Sequence, residues 1–399
     1  MKFKNLGNTD LKVSAICLGT MTWGKQNNQQ EAFKLMDYAL DQGINFFDTA
    51  EMYSVPVSKD TFGKTETIIG NWFRERNNRE KVVLATKITG PGHSWIRGGN
   101  LQYTRESIST ALEGSLKRLQ TDYIDLYQLH WPERNTNIFG KLSYEHKVEE
   151  EKWNSIESVL RVLKQFVDQG KIRYIGISNE TPWGLSKFLQ LSKLLDLPRV
   201  SSVQNPYNLL NRSYEVGLAE ISIREQCGLL AHTPLACGVL TGKYRNNQKP
   251  KGSRLQLFRN YFDAYSGKLS LLAAEKYFIV AKKYNISPAQ LSLAFITQQP
   301  FVTSTIIGAT TMKQLKENIE SVNIDLTAEI INELNLIHNN NSYPINFPKQ
   351  KGLLNRFSFY LLTTTKLILK GNWTELAYKI NKKIIKPIKS YVNSRNVGS

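Results

Sequence analysis

Short runs of strand-forming apolar residues alternate with amphipathic helical segments about eight times over roughly 330 residues of this chain. Each connection is short enough to be a right-handed crossover, so successive strands are expected to lie parallel and side by side. Eight such units close most naturally into a barrel. We therefore predict an α/β fold, a (β/α)8 TIM barrel.

A doubly wound parallel sheet is the main alternative. Such a sheet usually carries a Gly-rich turn after its first strand, where it binds the pyrophosphate of a dinucleotide. Here the first strand leads into Gly19-Thr20-Met21-Thr22-Trp23-Gly24, which lacks that glycine spacing. The barrel is therefore preferred, preceded at residues 3–14 by a small β-hairpin that turns at Gly7-Asn8.

The same patterns predict the bounds of individual elements. The first barrel strand is expected at 14–18 and the last at 302–307. Helices are expected after a cap at Thr104, at 153–169, where Gly170 ends the pattern, and at 212–227. Three long, irregular loops are expected to shape any binding pocket, at 54–64, 131–152 and 246–267.

Compartment and membrane signals point to the cytoplasm. The first residues lack the apolar segment of a signal peptide, and no apolar run approaches the roughly 20 residues that span a bilayer. The three cysteines (Cys17, Cys227 and Cys237) are odd in number and have no metal-ligand spacing. These features predict a cytoplasmic protein without structural disulfides.

The net charge of +18 is unevenly distributed. From Lys349 onward the chain has eleven Lys and Arg residues and one acid, Glu375, so this segment carries +10 of the total. Its apolar residues follow helical spacing in two amphipathic stretches, and the second is strongly basic. We therefore predict a barrel domain at 1–348 and a basic amphipathic helical tail at 349–399.

The tail has more than one interpretation. It can lie on an anionic membrane surface, which would make the protein peripheral to the inner face of the membrane, or it can bind a partner protein. Alternatively, its apolar face packs on the barrel and its lysines are only solvated. Nucleic acid is not expected as a partner, because the basic stripe is short and contains a single tryptophan, Trp373.

Three predicted strands end at ionisable side chains, namely Asp48, Lys87 and His130, and Tyr53 follows on the loop after Asp48. Active sites of α/β barrels lie at the carboxyl ends of the strands, so these four residues are expected to converge. A phenol has an ordinary pKa of about 10, so by itself it is too weak an acid at neutral pH. A nearby ammonium lowers this pKa because it stabilises the phenolate. Together, the four groups can protonate a carbonyl oxygen while a hydride reaches its carbon.

Each of these residues also has an ordinary structural interpretation. Asp48 can cap a loop, Lys87 can be a surface lysine, and His130 can be a structural histidine. Their joint occurrence on successive strand ends favours a catalytic site. A metal-dependent barrel hydrolase fits poorly, because the five histidines are scattered and form no His-x-His pair.

The sequence around these residues resembles the aldo-keto reductases, and most closely their Tas-like, NADP(H)-dependent subgroup. The resemblance covers about residues 1–348. It rests on runs that occur in the family's order, among them Leu18-Gly19-Thr20-Met21, Phe47-Asp48-Thr49-Ala50-Glu51-Met52-Tyr53, Ala85-Thr86-Lys87, and those at 122–131, 170–179, 204–208, 234–244 and 307–318. It implies a barrel that binds NADPH or NADP+ in extended form across its carboxyl face and acts on a small-molecule carbonyl substrate.

The resemblance also implies catalytic roles. Tyr53 is the general acid, and Lys87 and Asp48 adjust its pKa. His130 orients the substrate carbonyl.

The resemblance further implies the residues that bind the cofactor. Ser178, Asn179 and Gln204 correspond to residues that hold the nicotinamide amide. The segment 308–311 leads into a helix whose N-terminus would attract the 2′-phosphate. The other implied contacts are Gly19, Thr20, Met21, His232, Thr233, Pro234, Leu235, Ala236, Leu240, Lys243, Arg254, Ile307, Gly308, Thr310, Gln314, Glu317 and Asn318.

His232 departs from the family pattern, which usually has Tyr or Trp stacked on the nicotinamide at this position. An imidazole can stack, but it covers less ring area and adds a titratable group beside the cofactor. A functional but weaker cofactor site is expected.

Two functions remain open at this level. The first is an NADPH-dependent reductase of an aldehyde or ketone, including a sugar or nucleotide-sugar carbonyl. The second is an NADPH-binding scaffold or sensor with little turnover, similar to the barrel-type β subunits of voltage-gated potassium channels. The intact catalytic set favours the reductase, and the tail favours the scaffold.

Overall fold

The computed structural model describes residues 1–139, 144–146 and 153–345. Within these ranges, two strands form a hairpin and eight form a closed parallel barrel. The strands are β1 (Phe3–Asn5), β2 (Lys12–Ser14), β3 (Ile16–Gly19), β4 (Phe46–Asp48), β5 (Val83–Ile88), β6 (Ile124–Leu129), β7 (Ile172–Ser178), β8 (Val200–Pro206), β9 (Gly228–His232) and β10 (Val302–Ile307).

The barrel strands β3 to β9 pair in chain order, and β10 pairs with both β9 and β3. The pairing between β10 and β3 closes the sheet, so every barrel strand has two neighbours. The predicted (β/α)8 barrel and the N-terminal hairpin are confirmed.

Helices connect the strands and surround the barrel. Those in the described ranges are α1 (Gln29–Asp41), α2 (Lys64–Arg76), α3 (Arg105–Leu119), α4 (Ile156–Asp168), α5 (Pro182–Leu195), α6 (Leu218–Arg224), α7 (Arg254–Leu257), α8 (Arg259–Phe262), α9 (Lys268–Lys283), α10 (Pro288–Thr297), α11 (Met312–Glu320) and α12 (Ala328–Asn340). None of these helices has the length and apolar character needed to cross a bilayer.

Capping side chains explain several helix starts. The Asn28 side chain accepts a hydrogen bond from the backbone N–H of Glu31, whose side chain accepts one from the N–H of Asn28, so α1 begins with a reciprocal capping box. The predicted cap of α3 is also present, since Thr104 accepts from the N–H of Ser107.

The hairpin covers the amino end of the barrel. Leu6 and Val13 are fully buried in one apolar cluster with Phe46 and Leu126 of the barrel. Lys4 Nζ donates to the carbonyl oxygen of Val302, at the start of β10, over 2.6 Å. Because apolar side chains fill this end, the opening of a functional cavity is expected at the carboxyl end.

The structure differs from the predicted bounds of several elements. The helix expected at 153–169 begins at Ile156, because the side chain of Ser155 caps it. The helix expected at 212–227 is a short 3-10 turn, Ser213–Val216, followed by α6. Gly217 separates the two with a non-helical φ of −150°, consistent with the low helix propensity of glycine.

Two further segments differ from the prediction, and a third falls outside the described residues. Residues 246–267, expected to be irregular, contain α7 and α8. The strand expected at 14–18 is divided by Ala15 into the end of β2 and the start of β3. The predicted tail at 349–399 lies outside the described residues, so the domain boundary at 348 stays a prediction.

Candidate active site

The four residues predicted at strand ends lie together at the carboxyl end of the barrel. Asp48 is the last residue of β4, Lys87 lies next to the last residue of β5, and His130 directly follows β6. Tyr53 lies on the loop after β4. Consecutive parallel strands end at the same edge of the barrel, which is why their terminal side chains meet.

Lys87 and Asp48 form a buried ion pair. Lys87 Nζ lies 2.7 Å from Asp48 Oδ2 and also donates to the carbonyl oxygen of Thr49 over 2.8 Å. The Lys87 side chain is 0% exposed. Burial lowers the pKa of Lys87, but the Asp48 carboxylate and the Tyr53 phenol together outweigh burial, so this pKa lies above its ordinary value. Lys87 is therefore an ammonium at neutral pH.

Two amides hold the other carboxylate oxygen of Asp48. Gln128 Nε2 and Gln204 Nε2 donate to Asp48 Oδ1 over 3.1 and 2.8 Å. The resemblance implies a nicotinamide contact for Gln204, whereas in this structure its amide nitrogen bonds Asp48 and Gln128. Sequence reasoning missed Gln128, although an amide near the end of a strand beside Lys87 was a usable signal.

Tyr53 lies against both Lys87 and His130. Lys87 Nζ is 5.0 Å from the centroid of the Tyr53 ring, and the Tyr53 and His130 rings meet edge-on with centroids 5.8 Å apart. Burial raises the pKa of Tyr53, and the Lys87 ammonium opposes this rise without overcoming it. This direction corrects the expectation of a lowered pKa. The phenol is protonated at neutral pH and can donate its proton.

His130 is an uncharged imidazole at neutral pH. Burial first, and the Lys87 charge second, lower the pKa of His130 well below its ordinary value. Its Nδ1 atom is buried and has no hydrogen-bond partner among the described residues. A neutral imidazole here can donate a hydrogen bond without adding a positive charge beside the Lys87 ammonium.

A cavity of about 460 Å³ opens at this end of the barrel. Three of the four predicted catalytic residues line it, while Lys87 lies buried behind Asp48. The residues predicted from the sequence that line the cavity are Gly19, Thr20, Met21, Asp48, Tyr53, His130, Ser178, Asn179, Gln204, His232, Thr233, Pro234, Arg254, Ile307 and Gly308.

Much of the remaining cavity wall is aromatic or apolar, and sequence reasoning did not identify it. These wall residues include Met52, Val55, Pro91, His93, Trp131, Ile138, Phe139, Tyr261 and Phe262. Most come from loops, and Tyr261 and Phe262 come from α8 in the segment 246–267. Their positions depend on loop conformation, which no local sequence pattern specifies.

A second cavity of about 550 Å³ continues from the first, since both are lined by Thr233, Pro234, Cys237, Arg254 and Gly308. The other predicted cofactor residues that line the second cavity are Leu235, Lys243, Thr310, Gln314, Glu317 and Asn318. The two cavities thus form one groove across the carboxyl face.

Ala236 and Leu240 differ from the rest of the predicted cofactor set. Both side chains are fully buried in the protein, and neither lines either cavity. The sequence motif therefore contains structural residues as well as residues that face the groove.

The second cavity fits a phosphate-bearing group. Its wall contains one carboxylate, Glu317, and four cationic side chains: Lys243, Lys251, Arg254 and Lys313. The Glu317 carboxylate accepts a hydrogen bond from Ser287 Oγ over 2.7 Å. The buried Ser253 hydroxyl, which also lines the cavity, has no partner among the described residues and is available as a donor. This donor set suits an anionic ligand.

The start of α11 borders the same cavity. Thr311 caps the helix by accepting from the N–H of Gln314, and Gln314 Oε1 accepts from the N–H of Thr310 over 3.0 Å. The positive end of the helix dipole therefore faces the groove beside these residues.

The ends of β7, β8 and β9 carry polar groups that bond to one another. Ser178 Oγ donates to the carbonyl oxygen of Gln204 over 2.7 Å. Asn179 Nδ2 donates to the carbonyl oxygen of His130 over 2.9 Å, and Asn179 Oδ1 lies 3.2 Å from His232 Nε2. These contacts fix the polar side of the first cavity.

His232 is uncharged at neutral pH. Burial, followed by the charge of Lys87, lowers the pKa of His232 to about 3. Its Nδ1 atom lies 2.9 Å from Thr233 Oγ1, which holds the ring in place. His232 therefore presents a flat neutral ring to the groove, although it is a titratable residue.

Comparison with known proteins identifies relatives of this chain. Residues 15–339 match the family model described as the aldo/keto reductase family. Protein tas of Escherichia coli K12 is 47% identical over 352 residues, which cover 86% of this chain and 99% of that protein. The uncharacterized oxidoreductase YrpG of Bacillus subtilis is 36% identical, covering 84% and 95%. A probable voltage-gated potassium channel subunit beta of Oryza sativa is 31% identical, covering 84% and 96%.

Proposed function

The chain belongs to the aldo/keto reductase family, and we propose that it reduces a small-molecule aldehyde or ketone to an alcohol with NADPH as the reductant. The family and its relatives support the class of carbonyl oxidoreductase. The choice of NADPH, the substrate and the roles of individual side chains are the proposal.

One observation carries the proposal: the buried ion pair of Lys87 and Asp48 lies beside the phenol of Tyr53, which lines an open cavity. A buried ion pair stabilises a fold only weakly, because desolvation opposes the attraction between the charges. An ammonium held against a phenol has a clear chemical use, since it stabilises the phenolate that forms when the proton leaves.

NADPH, when bound, supplies the hydride that adds to the carbonyl carbon. As negative charge builds on the substrate oxygen, Tyr53 transfers its phenol proton to that oxygen and becomes a phenolate. The Lys87 ammonium stabilises this phenolate, and Asp48 keeps Lys87 charged and in place. The raised pKa of Tyr53 keeps the proton on the phenol until the substrate oxygen becomes a stronger base.

His130 is proposed to orient the substrate. As a neutral imidazole on the cavity wall, it can donate a hydrogen bond to the carbonyl oxygen. A hydrogen bond from His130 and the proton of Tyr53 would thus meet at one atom. This arrangement selects the carbonyl orientation in which proton transfer is possible.

The groove is proposed to hold the cofactor along its length. Ser178, Asn179 and His232 would lie at the nicotinamide end. The cationic side chains Lys243 and Arg254 would bind its phosphates. Thr310, Gln314 and the N-terminus of α11 would lie at the adenosine end, where a 2′-phosphate favours NADPH over NADH.

Replacement of Tyr53 by Phe tests the proposal. We expect kcat for NADPH-dependent carbonyl reduction to fall by about a thousandfold, because a proton donor is lost while the ring remains. NADPH oxidation would be followed with aldehydes, ketones and nucleotide keto-sugars, and NADPH binding would be titrated separately. The Kd of NADPH should be the same in Tyr53→Phe as in the wild type.

Tyr284→Phe is the matched control. Its hydroxyl donates to Glu333 over 2.7 Å, and neither residue lines either cavity. This variant should reduce carbonyls at the wild-type rate. Undiminished turnover in Tyr53→Phe would eliminate Tyr53 as the proton donor.

The second candidate function is a cofactor-binding scaffold with little turnover. The relative named as a probable potassium channel β subunit supports it, whereas the complete set of Asp48, Tyr53, Lys87 and His130 supports catalysis. Tight NADPH binding without turnover on the whole substrate panel would favour the scaffold.

The segment at 349–399 is proposed to be a separate basic tail that binds an anionic membrane surface or a partner protein. A chain ending at residue 348 should keep the wild-type turnover and lose binding to vesicles that contain anionic lipid. Loss of turnover in the shortened chain would instead indicate that the tail supports the barrel.

A further inference from the structure

Residues 89–100, the first part of the connection between β5 and α3, form a loop in the wall of the catalytic cavity. Pro91 and His93 of this loop line the cavity beside Trp131. Trp131 Nε1 donates to the carbonyl oxygen of Pro91 over 2.9 Å, and the ring centroids of His93 and Trp131 are 6.2 Å apart. The loop thus forms one side of the space where a substrate would lie.

The loop also packs against the segment that carries Tyr53. Ile96 of the loop and Leu101, which directly follows it, are both 2% exposed and belong to the same apolar cluster as Met52 and Tyr53. A shift of the loop would therefore change both the cavity wall and the packing around the proton donor.

A buried ion pair joins the loop to the Tyr53 segment. The Arg97 guanidinium pairs with the carboxylate of Glu51, with side chains 10% and 2% exposed. The other Glu51 oxygen, Oε2, accepts from the N–H of Thr89 over 2.9 Å, and Arg97 Nη2 donates to the carbonyl oxygen of Thr89 over 3.0 Å. Glu51, Arg97 and Thr89 therefore form a closed set of contacts at the base of the loop.

Glu51 is itself fixed to the catalytic strand. Its backbone N–H donates to the carbonyl oxygen of Lys87 over 3.0 Å, and it lies two residues before Tyr53. Arg97 has a φ of +47°, a conformation that a residue with a Cβ seldom adopts, and Gly98 also has a positive φ. The loop would not keep this backbone conformation readily without the contacts of Arg97.

We propose that Glu51 and Arg97 are positioning residues that hold the loop 89–100 against the cavity and so place the substrate carbonyl before Tyr53. This inference rests on the proposed function. The pair lines neither cavity, so it acts through the residues that it holds. Its loss should weaken substrate binding while leaving the cofactor groove, formed by other elements, intact.

Arg97→Met tests the proposal by removing the cation and keeping much of the side-chain volume. We expect amide hydrogen exchange in the loop 89–100 to accelerate by about tenfold or more, because the loop opens locally. With 4-nitrobenzaldehyde as the probe, KM should rise by about tenfold with kcat changed much less, and the Kd of NADPH should be unchanged.

Two further variants separate positioning from stability. Arg79→Met breaks the pair of Arg79 and Asp125, which is similarly buried with side chains 14% and 3% exposed but involves the start of β6. It should destabilise the protein without changing KM or loop exchange. Arg97→Lys keeps the charge but cannot reproduce both guanidinium contacts, so it should restore part of the wild-type KM.

The outcomes distinguish this inference from the proposed function. Equal loop exchange in the wild type and Arg97→Met, or an equal rise of KM in Arg79→Met, would overturn the positioning role. A wild type that binds NADPH but reduces neither 4-nitrobenzaldehyde nor other carbonyls would overturn the proposed function, and with it this role. A rise in exchange and KM confined to the Arg97 variants would support both.

Discussion

The barrel holds a buried ion pair near each end, and the two pairs differ in what surrounds them. At the amino end, Asp125 at the start of β6 lies 2.7 Å from Arg79 and accepts a 2.8 Å hydrogen bond from Arg173 of β7. It also accepts from the N–H of Leu84 in β5. This carboxylate therefore links the beginnings of three neighbouring strands.

At the carboxyl end, the carboxylate of Asp48 also accepts several hydrogen bonds, but its partner Lys87 lies against a phenol. Lys87 bonds Asp48 and the carbonyl oxygen of Thr49, and its ammonium lies against the Tyr53 ring beside the cavity. At the amino end the pair joins strands; at the carboxyl end we propose that it prepares Tyr53 as a proton donor. Both pairs are buried, and of the two only the pair at the carboxyl end adjoins a phenol that lines a cavity.

The largest expected effect comes from breaking the pair of Lys87 and Asp48, which is proposed to be catalytic. Lys87→Met should lower kcat for carbonyl reduction by about a thousandfold, because the phenolate of Tyr53 loses its neighbouring cation. NADPH binding should persist, since Lys87 lines neither cavity. Steady-state NADPH oxidation and a separate NADPH titration measure the two quantities. A decrease in kcat of less than tenfold would remove Lys87 from the proposed mechanism.

Breaking the pair at the amino end should affect stability instead. Asp125→Asn keeps the shape of the side chain and removes its charge. Arg79 then loses its anion, and Arg173 keeps only its longer contact with Asp10, at 3.7 Å. We expect the free energy of unfolding to fall by about 3 kcal/mol, with kcat and KM within twofold of wild type. Chemical denaturation and the kinetic assay check both parts. A large loss of kcat at full stability would show that the two ends are coupled.

The smallest expected effect is a dependence of the free energy of unfolding on pH, caused by His232 at the carboxyl end of the barrel. His232 has a folded pKa of about 3 against an ordinary value of 6.5, so the unfolded chain binds a proton that the folded protein excludes. The free energy of unfolding should therefore be highest above pH 6.5 and fall as pH decreases, by about 1.4 kcal/mol per pH unit from this residue.

Replacement of His232 isolates this contribution. Between pH 6 and 5, the free energy of unfolding of His232→Phe should lose that part of the dependence on pH. Denaturant unfolding at each pH measures the difference. Parallel slopes for wild type and His232→Phe would show that the imidazole takes up its proton without unfolding.

Sequence patterns predicted most of the architecture because barrel strands and helices have local signals. The strand at Val302–Ile307 was predicted with the bounds that the structure shows, and the Thr104 cap of α3 follows from capping chemistry. The bounds of α4 and α6 were wrong, because Ser155 and Gly217 act through local backbone geometry that periodicity does not specify.

The chemistry of the candidate site was only partly predictable. The convergence of Asp48, Lys87 and His130 follows from the rule that parallel strands end at one edge. The direction of the Tyr53 pKa shift did not follow, because burial and the Lys87 charge oppose each other and burial depends on the closed cavity wall.

The sequence by itself determined the kind of fold, the strand ends that carry ionisable groups and the family resemblance, since these depend on residue type and spacing along the chain. The tertiary structure decided which groups touch. It joined Gln128 and Gln204 to Asp48, and Arg97 to Glu51 across 46 residues. Such contacts form between distant segments of the chain, so their geometry depends on packing and is not contained in local patterns.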